Sequence, residues 1–139
     1  MVINQEFLDE LTEKAKENPR HRMHYDLRTQ AFDEESGWKD MSQRILNVMM
    51  ADTEIPIHRH RETSETVIVL RGSGDEAFYD DTGNEIERVT MDADSGCRML
   101  QVPRNVYHTF IPHEDGTVIF EAKDRAYDPE RTEDFLRKE

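Results

Sequence analysis

The chain has a single cysteine, Cys97, in 139 residues. No disulfide can form within it, which excludes the stapled scaffolds of small secreted proteins. Glycine and proline are sparse, at 6 and 5, which excludes collagen-like and low-complexity architectures and makes each a turn marker. No apolar run approaches the roughly 20 residues a membrane-spanning helix needs. The start, Met1-Val2-Ile3-Asn4-Gln5-Glu6, lacks a positive segment followed by an apolar one, so no secretion signal is read and a cytoplasmic setting is expected. Positive charge is also short, with 18 Lys and Arg against 31 Asp and Glu and a net charge of −13. A field of that sign opposes nucleic acid and anionic lipid, so neither is an expected partner.

What remains is enough residues for one domain with a core of its own. Residues 3–17 carry Phe7, Leu8, Leu11 and Ala15 at helical spacing and read as one amphipathic helix ending before Asn18-Pro19. From Arg20 onward short β-type runs alternate with turn signals at 33–37, 72–74, 80–84, 94–96 and 114–116, an all-β cadence with small α content. The clearest hairpin joins residues 76–79 to 85–89 across Asp81-Thr82-Gly83-Asn84. Residues 66–70 and 118–120 are apolar on both parities, as expected of strands buried on both faces.

Chemistry concentrates in His58-Arg59-His60, then Glu65 after four residues, then Gly72 after six. On a strand, residues i and i+2 point to one face about 7 Å apart, so His58 and His60 can converge on one ion. Arg61-Glu62-Thr63-Ser64 gives the chain room to turn, and Glu65 opens the returning strand beside the imidazoles. Farther on, Pro103-Arg104-Asn105 predicts a turn before a strand that carries His108, a third imidazole.

His-x-His, four residues, Glu, six residues, Gly, followed by Pro-x-Asn-x-x-His, resembles the two metal motifs of the cupin superfamily. Asp52 and Asn105 stand where that superfamily often has glycine, and Pro112 where it often has asparagine. A narrower resemblance, to the WbuC-type cupin-fold metalloproteins, covers residues 20–129 through Gln43-Arg44-Ile45-Leu46-Asn47, Thr63-Ser64-Glu65, Val69-Leu70-Arg71-Gly72, Phe120-Glu121-Ala122-Lys123-Asp124 and Tyr127-Asp128-Pro129. The resemblance implies a cupin-type β-barrel, or double-stranded jelly roll, with an N-terminal helix. Residues 1–19 would pack on the barrel, 20–129 form the cupin domain, and 130–139 form a tail or short helix. It also implies metal ligation by His58, His60, Glu65 and His108, and pairing into a homodimer. Three imidazoles and a carboxylate suit Fe, Mn, Ni, Co or Zn without choosing among them.

Parity marks further candidates. Gln43 and Asn47 share a face with Ile45 and Met49, which suggests a lined cavity. Glu121 and Lys123 share a face at the end of a buried strand and suit proton transfer, as does His24; Arg22 and Lys123 suit a polar substrate. The expected function is metal-dependent chemistry on a small polar metabolite, which the resemblance implies to be sugar-like. The WbuC resemblance points to bacterial surface-polysaccharide synthesis and an isomerase- or epimerase-like step. The alternatives are an iron-dependent dioxygenase and a metal-dependent binding or sensor protein without turnover.

Overall fold

Alternation decides the architecture. In the computed structural model, which describes residues 1–28, 32–125 and 132–135, the chain forms one helix, α1 (Gln5–Glu17), and ten strands. These are β1 (Arg22–Asp26), β2 (Gln43–Met49), β3 (His58–His60), β4 (Glu65–Arg71), β5 (Ser73–Tyr79), β6 (Glu85–Asp92), β7 (Met99–Val102), β8 (Tyr107–Pro112), β9 (Thr117–Lys123) and β10 (Thr132–Asp134). Tyr127-Asp128-Pro129, part of the sequence resemblance, lies outside the described residues.

The strands make two five-stranded sheets, ordered β1-β2-β9-β4-β7 and β10-β3-β8-β5-β6, with every strand pair antiparallel. The expected closed barrel is not found. Among the described residues no strand ladder joins one sheet to the other, so β1, β7, β10 and β6 all remain sheet edges. Closure needs edge strands to pair around the whole circumference, and here the two sheets instead face each other across their side chains. Met49, Val67, Val69, Phe78, Met91, Val102, Phe110 and Ile119 fill the space between them.

The period of two along the strands then separates core from site. On β2, Leu46 and Val48 turn outward to meet Leu8, Leu11 and Ala15 of α1. Gln43, Ile45 and Asn47 turn inward to a cavity between the sheets. On β9, Val118 packs with the helix cluster, whereas Glu121 and Lys123 face the cavity. The helix starts at Asn4, whose side chain accepts a hydrogen bond from the Phe7 amide at 2.9 Å, an N-cap that satisfies one of the free donors of the first turn. Arg71 pins it to the sheet by donating to Asp9 Oδ1 and Thr12 Oγ1, both at 2.7 Å.

Burial on both faces, expected for residues 66–70, holds for only one. Val67 and Val69 are buried, but Leu70 is 43% exposed. The helix packs chiefly on β1 and β2 and reaches β4 through Arg71, so Thr66 and Ile68 on the outer face of that strand are only half-buried. At the other end of the chain, Thr132–Asp134 pairs with His58–His60 as an edge strand.

Candidate metal centre and cavity

His58 and His60 stand two residues apart on β3, and His108 lies directly across from His58 on β8. The β3–β8 pairing is thus what brings the second motif to the first. One ligand-capable nitrogen from each of the three histidines lies within 4.8 Å of the other two, and the ring centroids are 4.4 to 5.7 Å apart. Asn105, in the turn before β8, has φ 66°, the left-handed conformation that asparagine tolerates better than most residues. It also donates its backbone N–H to the His60 carbonyl at 2.7 Å, tying that turn to β3.

The far side of each ring is anchored. His58 Nδ1 lies 2.7 Å from the Pro56 carbonyl, and His108 Nδ1 lies 2.9 Å from the Val106 carbonyl. A carbonyl only accepts, so Nδ1 carries the proton in both rings and the Nε2 lone pair is left to the cavity. His60 Nδ1 meets Thr132 Oγ1 of β10 at 3.3 Å. His108 Nε2 is buried and has no hydrogen-bond partner within the protein. Burial is also the main force on the ring pKa values. It holds His60 and His108 down to about 3, helped in each ring by a neighbouring charge, Lys123 for His60 and His58 for His108. His58 is lowered by the same burial.

Neutral imidazoles, two with a fixed tautomer and one of these with an otherwise orphaned nitrogen, are the donor set that a divalent ion of the zinc or iron type requires. The triad is therefore capable of coordinating such an ion. Glu65 opens β4 next to it, with Oε2 3.6 Å from His60 Nε2 and Oε1 3.9 Å from His108 Nε2. Its carboxyl is 4% exposed and burial pushes it up to about 7, opposed by Lys123.

The triad opens into a cavity of about 610 Å³ between the sheets. The structure gathers the other sequence-predicted residues there: Arg22, His24, Gln43, Asn47, Glu121 and Lys123 all line it. Gln43, Asn47 and Lys123 are buried, whereas His24 is exposed at the mouth. Glu121 borders the cavity space while surrounded by protein mass. Burial, followed by the nearby Glu65 carboxylate, pushes it up to about 8. Burial lowers Lys123, against the pull of Glu65 and Glu121.

Sequence reasoning missed Glu76. It sits on β5, 2% exposed, lines the same cavity, and is held well above the usual carboxylate range by burial, then by Glu65 and Glu121. The available signal was parity, because Glu76 shares a face with Phe78, a core residue. Thr132 and Asp134 of β10 complete the wall.

Known proteins agree with this fold. The chain is similar to the capsular polysaccharide assembling protein CapF of Staphylococcus aureus, with a TM-score of 0.66 and 18% identity over 83% of this chain and 32% of that one. It is similar to the RmlC epimerase of Mycobacterium tuberculosis, with 0.56 and 20% over 67% and 50%. A third similar structure is oxalate decarboxylase of Bacillus subtilis, with 0.55 and 14% over 68% and 24%. The chain thus spans half or less of the length of these solved proteins. At such identities the likeness is one of fold alone. No curated protein matches the chain. No helix among the described residues is long and apolar enough to cross a membrane. Residues 3–91 match the model of the family described as Domain of unknown function (DUF6016), and the chain belongs to that family.

Proposed function

We propose that this chain is a metal-dependent enzyme that rearranges a small polar, sugar-like metabolite by an isomerase- or epimerase-like step. In this reading it is a WbuC-type protein of bacterial surface-polysaccharide synthesis. The observation that carries the reading is the convergence of three neutral imidazoles, two of them with a fixed tautomer, on a cavity whose wall also holds Glu121 and Lys123. Two similar structures lend the sugar direction support: one is named for capsular polysaccharide assembly and the other is an epimerase.

His58, His60 and His108 hold the ion in this reading, with Glu65 as the fourth ligand. A divalent ion bound there supplies Lewis acidity toward a carbonyl or hydroxyl oxygen. The chain's own groups supply the rest. Glu121 and Lys123 project from one face of β9, about 7 Å apart along the strand, and take up and return a proton on a carbon held between them. His24 stands at the mouth as a further proton carrier, while Arg22, Gln43 and Asn47 orient the substrate. A cytoplasmic setting and a homodimer joined through the open sheet edges complete the reading.

Metal analysis of the purified protein tests it first. About one divalent ion per chain is expected in the wild type, with loss in His60→Ala and His108→Ala, and full retention in both variants defeats the reading. The reaction is tested by deuterium wash-in from heavy water into candidate sugars, which should be lost in Lys123→Ala. Oxygen uptake with ferrous iron in place of wash-in would assign the dioxygenase instead.

A further inference from the structure

Among the described residues, three buried side-chain atoms have no hydrogen-bond partner within the protein: Asn47 Oδ1, Glu76 Oε2 and His108 Nε2. All three residues line the one cavity. His108 is accounted for by the metal centre, but Asn47 and Glu76 are not. They come from opposite sheets, on β2 and β5, and are 3% and 2% exposed. An unsatisfied buried polar group costs about 1–3 kcal/mol, and native interiors rarely tolerate one without a reason. Two of them bordering a single polar space mark a place where something else makes the bonds.

The chemistry of the two groups narrows what that is. An amide oxygen only accepts. A carboxyl accepts when ionised and donates when protonated, and Glu76 is held toward the protonated form by burial beside Glu65 and Glu121. A hydroxyl satisfies both, because it donates to Asn47 and either donates to or accepts from Glu76. The two groups themselves are an amide and a carboxyl held toward its neutral form, so neither of them calls for a charged partner. Its volume of about 610 Å³ lies within the range of small-molecule sites.

We propose that Asn47 and Glu76 form a hydroxyl-recognition subsite that grips a small neutral polyol between the two sheets, beside the metal centre. The proposal rests on reading the cavity as a small-molecule site, and it does not depend on the ion being bound.

The test follows the side-chain amide signal of Asn47 in nitrogen-15-labelled full-length protein. The protein is titrated with D-glucose, D-xylose and myo-inositol, and with cyclohexanol as the hydroxyl-poor control, in zinc-loaded and metal-free samples. At least one polyol should shift the signal saturably and bind at least about tenfold tighter than cyclohexanol. Asn47→Leu and Glu76→Met should each weaken that binding about tenfold, followed through neighbouring backbone signals, while zinc content stays at the wild-type level. No shift with any polyol, equal binding of cyclohexanol, or unchanged affinity in both variants overturns the subsite and leaves water as the partner of these atoms. The wild-type titration decides even where a variant fails to fold. Failure of the metal reading shows up separately, as wild-type protein that retains no zinc while the metal-free titration still reports on the polyol.

Discussion

At the scale of the residue, Asp80 shows how one carboxylate holds a hairpin. It follows β5 and accepts hydrogen bonds from the backbone N–H groups of Thr82 and Asn84, both at 2.9 Å, and from the Thr82 hydroxyl at 2.8 Å. These bonds favour the ionised form, with that from the Asn84 backbone strongest, and pull the Asp80 pKa down to about 2. In the unfolded chain the value returns to roughly 3.9. The stabilisation is therefore complete above pH 4 and is lost as pH falls through about 2. Thermal unfolding should find Asp80→Ala less stable than the wild type at pH 6, with the difference shrinking as the buffer approaches pH 2.5. An unchanged difference would mean that the charge contributes nothing. Single residues were also the most legible part of the sequence. His58 and His60 had to share a strand face, and Pro103-Arg104-Asn105 predicts the turn in which Asn105 adopts its positive φ. Glu76 escaped because a glutamate in a hairpin reads as solvated, and only its parity with Phe78 argued otherwise.

At the scale of the element, β10 is only three residues long, yet it is tied down at many points. Glu133 accepts from Arg59 Nη2 at 3.1 Å and from the Tyr107 hydroxyl at 3.2 Å, and it pairs with Arg61. Arg59 lies over the Tyr107 ring at 4.4 Å, and Phe135 meets the same ring edge-on at 5.4 Å. The Phe135 N–H donates to the Ile57 carbonyl at 2.8 Å. Since Thr132 also meets His60 Nδ1, this strand both walls the cavity and steadies one imidazole. Glu133→Ala should release it locally without unfolding the sheets. Hydrogen exchange at the Phe135 amide is expected to become several-fold faster while amides of β2 and β9 stay protected; equal acceleration throughout would show that β10 is no independent unit. Nothing in Thr132-Glu133-Asp134 announces a strand, because its three residues are polar on both parities and their partners lie about 70 positions upstream.

At the scale of the molecule, the site and the stabilising layer occupy opposite faces of one sheet. Leu11, 2% exposed, packs α1 onto the outer face of β2, while the cavity lies on the inner face. Leu11→Ala should cost about 2–5 kcal/mol, read from the denaturant midpoint, with metal content per folded chain unchanged; loss of metal in step with stability would contradict this separation. The all-β cadence and the leading helix were readable from periodicity, but closure was not. A strand with one face buried has the same alternation in a sandwich as in a barrel, and whether edge strands pair is set by twist and by loop lengths, which residue order states only indirectly. The histidine anchors carry a last consequence. His58 and His108 are each oriented by the backbone carbonyl two residues earlier, just ahead of their strands, so those two rings take their alignment from local backbone and need no help from the side chains lining the cavity. Such a centre can be inherited intact while its surroundings diverge, and a lineage built on it can change what it receives without having to reinvent how it holds a metal.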